Sequence, residues 1–154
     1  MDKFRNKYRI QSSRLQNWDY GWNASYFITI CTQNRIEFFG DIIDDEMVLS
    51  GIGEIVKNEW IKTPEIRVDM NIILDEFVVM PNHFHAIITI GKNEYNMGHD
   101  AGQDGYDGRN AMHRVSTDTN NPPKNKFEPQ SKNLASIIRG FKSGVTTDAR
   151  LIHA

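Results

Sequence analysis

Between Met70 and Ile90 the chain reads as two strand-forming runs joined by a turn too short for anything but a hairpin. Ile72, Ile73, Leu74, Phe77, Val78 and Val79 supply the first run, up to Met80, and His83 to Ile90 the second. Pro81-Asn82 between them is a turn signal, so the two strands run antiparallel. Side chains two apart on a strand share a face. His83 and His85 are therefore expected to project together, while Phe84, Ala86, Ile88 and Ile90 project the other way into a core. The chain is committed to an antiparallel sheet with one apolar face.

The other elements follow from period and punctuation. Tyr26-Phe27-Ile28-Thr29-Ile30-Cys31-Thr32 is rich in aromatic and β-branched residues and predicts an earlier strand. A loop with Asp41, Asp44, Asp45 and Glu46 follows it. Ser50 can cap a helix running to about Lys62, with Ile52, Ile55, Val56 and Trp60 on one side. Thr63-Pro64 is expected to end it, because proline disfavours helix in the residue before it. A second helix is expected over 132–150, its buried stripe formed by Leu134, Ile137, Ile138, Phe141 and Val145. The order strand, helix, strand, strand, helix predicts an α+β domain, a ferredoxin-like βαββα with an antiparallel sheet and its fourth strand missing. Both helices would cover one sheet face and leave the other open. The whole of 1–154 reads as a single domain, with a basic and aromatic arm over 1–25 and an irregular insertion over 91–130, where Gly, Asn, Asp and Pro dominate.

Composition narrows the function classes. No apolar run approaches the roughly 18 residues that span a bilayer, and the start, Met1-Asp2-Lys3-Phe4-Arg5, does not resemble a signal peptide. Cys31 is the only cysteine, which fits a reducing cytoplasm. Net charge is -2, yet the two ends are basic. Lys3, Arg5, Lys7, Arg9 and Arg14 cluster in the arm, and Arg139 and Lys142 lie off the buried stripe of the second helix. Such clusters suit phosphate contact. Trp18, Tyr20 and Trp22 either stack on unpaired bases or pin the arm onto the core.

Two imidazoles on one strand face can hold one divalent metal ion. They are two ligands only, so water, substrate or a further side chain must complete the shell. An incomplete shell suits catalysis better than a closed structural zinc site. Asp75 and Glu76, just before the hairpin, are candidates for a substitute ligand or for an acceptor behind the histidines.

The stretch Phe77-Val78-Val79-Met80-Pro81-Asn82-His83-Phe84-His85-Ala86-Ile87-Ile88 resembles the metal-motif strand of REP-associated tyrosine transposases, relatives of the small single-strand insertion-sequence transposases with a His-hydrophobic-His (HUH) motif. Other blocks resemble the same family in the same order: Arg14-Leu15-Gln16-Asn17-Trp18-Asp19-Tyr20, the strand from Tyr26 to Thr32, Thr63-Pro64-Glu65-Ile66-Arg67, and Ile137-Ile138-Arg139-Gly140-Phe141-Lys142-Ser143.

The resemblance implies a ferredoxin-like fold and metal-dependent nicking and joining of single-stranded DNA. It implies Mg²⁺ or Mn²⁺ at His83 and His85, and a tyrosine that forms a 5′-phosphotyrosine intermediate. The DNA contacts expected are Arg5, Lys7, Arg9, Arg14, Trp18, Arg139 and Lys142. The family tyrosine follows the block matched by Phe141-Lys142-Ser143, and no counterpart appears before Ala154, so this chain is expected to lack the nucleophile. The alternatives are a catalytically inactive DNA-binding module or a decayed remnant. The missing strand would leave an open sheet edge, which another copy, the arm or the insertion could fill. A homodimer is the first choice. The expected partner is single-stranded or hairpin DNA, and no membrane.

Overall fold

The structure is a computed structural model, and it describes residues 18–97 and 131–152. Its centre is a three-stranded antiparallel sheet built from β1 (Ala24–Cys31), β4 (Ile72–Met80) and β5 (His83–Ile90), in the order β1-β5-β4. The Met70–Ile90 hairpin forms as the sequence predicts, with Met80 paired to His83 across the two-residue turn. β5 is the central strand, hydrogen-bonded to β1 from Ala24↔Ile90 to Cys31↔His83. Met70 itself falls outside β4, in a 3₁₀ turn over Val68–Met70.

Where the sequence predicts an acidic loop, the structure has a second, two-stranded sheet. β2 (Gly40–Ile43) and β3 (Glu46–Leu49) pair antiparallel. The residues between them, Asp44 and Asp45, both have positive φ, 51° and 64°. That is the requirement of a type I′ hairpin turn, which short polar side chains tolerate better than most. Ser50 then caps α1 (Gly51–Ile61), accepting from the Gly53 N–H at 3.1 Å while donating to Phe38 O at 2.6 Å. One hydroxyl thus starts the helix and ties it to the segment leading into β2. Pro64 does not end helical structure outright: a short α2 (Thr63–Ile66) follows, with the proline inside its first turn, where a missing N–H costs nothing.

α1 and α3 (Leu134–Ile152) pack on each other and on one face of the three-stranded sheet. The approach is close at Gly144, where an added Cβ would collide with the Glu59 carboxylate. Trp60, Phe84 and Phe141 meet at the centre, with ring centroids 5.1, 5.2 and 5.5 Å apart. Burying three such rings contributes several kcal/mol, on the order of 2 each, before any gain from edge-to-face geometry. Ile28, Ala86, Ile88, Ile90 and Ile137 are among the buried residues packed around them.

Two of the sequence blocks named above meet in space. Arg67, at the end of α2, donates to Ser136 O at 2.8 Å, and its guanidinium lies where a side chain at Gly140 would be, 2.9 Å from an added Cβ. Leu134 N–H donates to Tyr20 O at 2.9 Å, and Lys132 is paired with Asp69. These contacts fix the start of α3. The insertion beyond residue 97 and the arm before residue 18 lie outside the described residues. Among the described residues no helix is long and apolar enough to cross a membrane.

Candidate functional site

The sheet face opposite the helices is built from alternate residues of three strands. Along β5 the alternation is strict: Phe84, Ala86, Ile88 and Ile90 are buried, while His83 and His85 are half-exposed and Ile87 is exposed. Along β1, Tyr26 and Ile28 are buried and Ser25, Phe27, Thr29 and Cys31 are exposed. The face therefore presents His83, His85 and Ile87 flanked by Phe27, Thr29 and Cys31, and no described helix covers it.

The two imidazoles stand side by side, their centroids 4.8 Å apart and their planes at 77°. Each has its Nδ1 engaged. His83 Nδ1 is 2.8 Å from Asn82 Oδ1, an acceptor, so Nδ1 is the donor in this bond and Nε2 is left outside it. His85 Nδ1 is 2.8 Å from Thr29 Oγ1, which orients that ring across the β1–β5 ladder. Holding one imidazole nitrogen leaves the other for a ligand, the usual arrangement behind a metal-binding histidine.

β4 departs from regular pairing beside this pair. Leu74 pairs with Ile88 and Phe77 with Ala86, so Asp75 and Glu76 together oppose Ile87 alone. This is a β-bulge, a device that re-aims side chains at sheet edges and near sites. Asp75 accepts from the Thr89 hydroxyl at 3.1 Å, and Thr89 meets the Ser25 hydroxyl at 2.7 Å, so a polar row crosses all three strands. Glu76 lines a shallow groove of about 250 Å³ with Phe27, Val78 and His85. Cys31 is free, exposed and in register with His83. Among the described residues no three His, Cys, Asp or Glu side chains form a group able to hold a metal ion.

The other expected site residues are not gathered here. Arg139 and Lys142 are exposed on α3, in the layer on the far side of the sheet from the histidines. Trp18 and Tyr20 are half-buried and pack against the core, and Trp18 meets Trp22 edge-on at 4.9 Å. The aromatic end of the arm is thus pinned to the domain. Arg5, Lys7, Arg9 and Arg14 lie outside the described residues, as do Tyr8, Tyr106, His99, His113 and His153.

The described tyrosines are elsewhere. Tyr26 is buried, donates to Trp22 O at 3.0 Å, and burial pushes its hydroxyl up to about 12. Tyr95 donates to Asp69, beyond the end of β5 farther from the histidines. The residues that sequence reasoning passed over are Phe27, Thr29 and Asn82. Alternation within the run from Tyr26 to Thr32 was the signal for the first two.

The chain is 36% identical to an uncharacterised protein of Haemophilus influenzae over 140 residues, covering 91% of this chain and 68% of that protein. No protein-family model and no solved structure matches it.

Proposed function

The chain belongs to one family with that Haemophilus influenzae protein, and we propose that its open sheet face binds a divalent cation and single-stranded or hairpin DNA, as the resemblance to HUH transposases implies. The observation that carries this reading is the His83–His85 pair: two adjacent imidazoles on an open face, each held through Nδ1 by Asn82 or Thr29. The strand order β1-β5-β4, with β5 antiparallel to both neighbours and both long helices on one face, supports a ferredoxin-like reading in which β2–β3 is inserted before the first helix. A cytoplasmic setting suits the free thiol of Cys31.

The residues present fit Mn²⁺ or Mg²⁺ as a partly ligated ion. Two nitrogen donors leave positions for water and for phosphate oxygens, and nitrogen ligation favours Mn²⁺ of the two. A cation held there would polarise a DNA phosphate and offset charge developing on it. Thr29 and Asn82 orient the ligands. Arg139 and Lys142 offer phosphate contacts that position a strand without reading its sequence. Because they lie in the opposite layer, a strand touching both must pass around an edge of the sheet.

A second reading, DNA binding without cleavage, is favoured by the tyrosine positions. Tyr26 is buried with its proton held tightly, and Tyr95 is directed to Asp69. Tyr20 packs half-buried beside Tyr26, so cleavage through a phosphotyrosine has no candidate among the described tyrosines. The test is a hairpin DNA titration beside a nicking assay, each with and without Mn²⁺. The expected result is Mn²⁺-strengthened binding, lost in His83→Ala with His85→Ala, and no covalent adduct. Binding indifferent to Mn²⁺ and to both histidines would sink the site. An adduct would restore the full transposase reading, and peptide mapping would identify its nucleophile.

A further inference from the structure

Phe27 is 69% exposed in the middle of a strand whose neighbours Tyr26 and Ile28 are buried. Its ring lies nearly parallel to His85, at 19° and 5.4 Å between centroids. An exposed aromatic ring on an open antiparallel sheet is a stacking surface, and every nucleobase has a π-face to place on it. The groove beside it, shallow and about 250 Å³, has room for one base but not for a folded segment.

The lining is apolar except for His85 and Glu76. Glu76 is exposed, placed by the bulge, and makes no hydrogen bond or ion pair among the described residues, in contrast to Asp75, which Thr89 engages. A carboxylate here repels phosphate, so the groove suits a base and not the backbone. An ionised carboxylate only accepts hydrogen bonds. Guanine offers it two adjacent donors, N1–H and N2–H. Adenine and cytosine offer one amino group, and thymine a single imino N–H flanked by two repelling carbonyls.

We propose that this groove holds one unpaired base of the DNA strand bound at His83 and His85, with Phe27 stacking on the base and Glu76 accepting from its donor edge, so that guanine is preferred over thymine. The proposal rests on the DNA-binding reading above and adds to it a base-selecting subsite.

The experiment uses the full chain with Mn²⁺ and fluorescein-labelled dT16 and d(TG)8. Wild type should bind d(TG)8 the tighter, by about fivefold or more. Glu76→Gln should bring the two affinities together. Phe27→Ala should weaken both by roughly five- to 150-fold, the range for losing one stacked base. Phe27→Trp should restore binding, with indole emission quenched by DNA. If wild type binds DNA and both Phe27→Ala and Glu76→Gln bind like it, the subsite is wrong while the metal and DNA reading stands. If folded wild type binds neither oligonucleotide, both fall. Concentration-dependent dimerisation abolished by Phe27→Ala, with DNA affinity unchanged, would mark the face as a self-interface and overturn the subsite.

Discussion

Thr29 and His85 face each other across β1 and β5, and the Thr29 hydroxyl lies 2.8 Å from Nδ1 of His85. Thr29→Val keeps the shape and strand propensity but removes the hydroxyl that orients the ring. Loss of such a supporting bond lowers metal affinity by about 10- to 100-fold. Stability should change by only about 0.5 kcal/mol, since the residue is exposed. Mn²⁺ titration followed by electron paramagnetic resonance, beside a thermal melt, checks both. Unchanged Mn²⁺ affinity would show that Thr29 does not support a metal ligand.

Arg139 and Lys142 project from α3, with the sheet between them and the histidines. Replacing both with Ala should therefore leave Mn²⁺ binding untouched and alter only the electrostatic part of DNA binding. Each phosphate contact on a single strand adds about 0.7 to the slope of log K against log salt, so the double variant should lose up to about 1.4. Titrations of dT16 at several NaCl concentrations measure it. An unchanged slope removes α3 from the DNA footprint and leaves that role to the arm.

The period-two pattern made the site strand legible. His83 and His85 share a face because Phe84, Ala86 and Ile88 must share the other, and the structure has that alternation without a break. The Ser50 cap and the α3 stripe were legible for the same reason, a regular period with a polar start. The β2–β3 hairpin was not. Its strands are four residues each, and its turn uses Asp44-Asp45 instead of an Asn-Gly signal. The bulge was half-visible, since Asp75-Glu76 interrupts an apolar run, but sequence alone did not say that both carboxylates oppose one residue. The tie between Arg67 and α3 depends on a contact over 69 positions, which no local pattern announces. The separation of Arg139 and Lys142 from the histidines follows only once both helices are placed on the core face.

Tyr26 makes a pH prediction. Desolvation raises its pKa from 10.0 to about 12. The folded state then keeps a proton that the unfolded state loses, so stability is unaffected below pH 10 and falls as pH rises from 10 towards 12. Tyr26→Phe removes this loss at the expense of the 3.0 Å hydrogen bond to Trp22 O. Urea denaturation should find the variant slightly less stable than wild type at pH 8, with the gap closing or reversing by pH 11. Parallel curves for the two proteins across that range would show that Tyr26 titrates normally.

The last prediction concerns the outer side of β1. β5 occupies one side of this strand, and among the described residues no strand occupies the other. Backbone N–H and C=O groups along such a side are a template for another strand. Natural edges are usually protected by proline, charge or a bulge. The β1 sequence Ala-Ser-Tyr-Phe-Ile-Thr-Ile-Cys has none of the first two, and its pairing with β5 runs in register from Ala24 to Cys31 without a shift. The irregularity of this sheet sits on the opposite edge, at Asp75 and Glu76 in β4. The unprotected edge is thus the one predicted to pair, and the first choice of partner is a second copy of the chain, β1 to β1. Antiparallel pairing of this kind would join two sheets while leaving the face with His83 and His85 accessible on both copies. Light scattering should report a dimer, and hydrogen exchange should find the amides of residues 26–31 protected on both sides of the strand, those facing β5 and those facing away. Dilution into the monomeric range should release only the outward set. A monomer at high concentration, with fast exchange of the outward amides, would show that this sheet tolerates an open edge at β1.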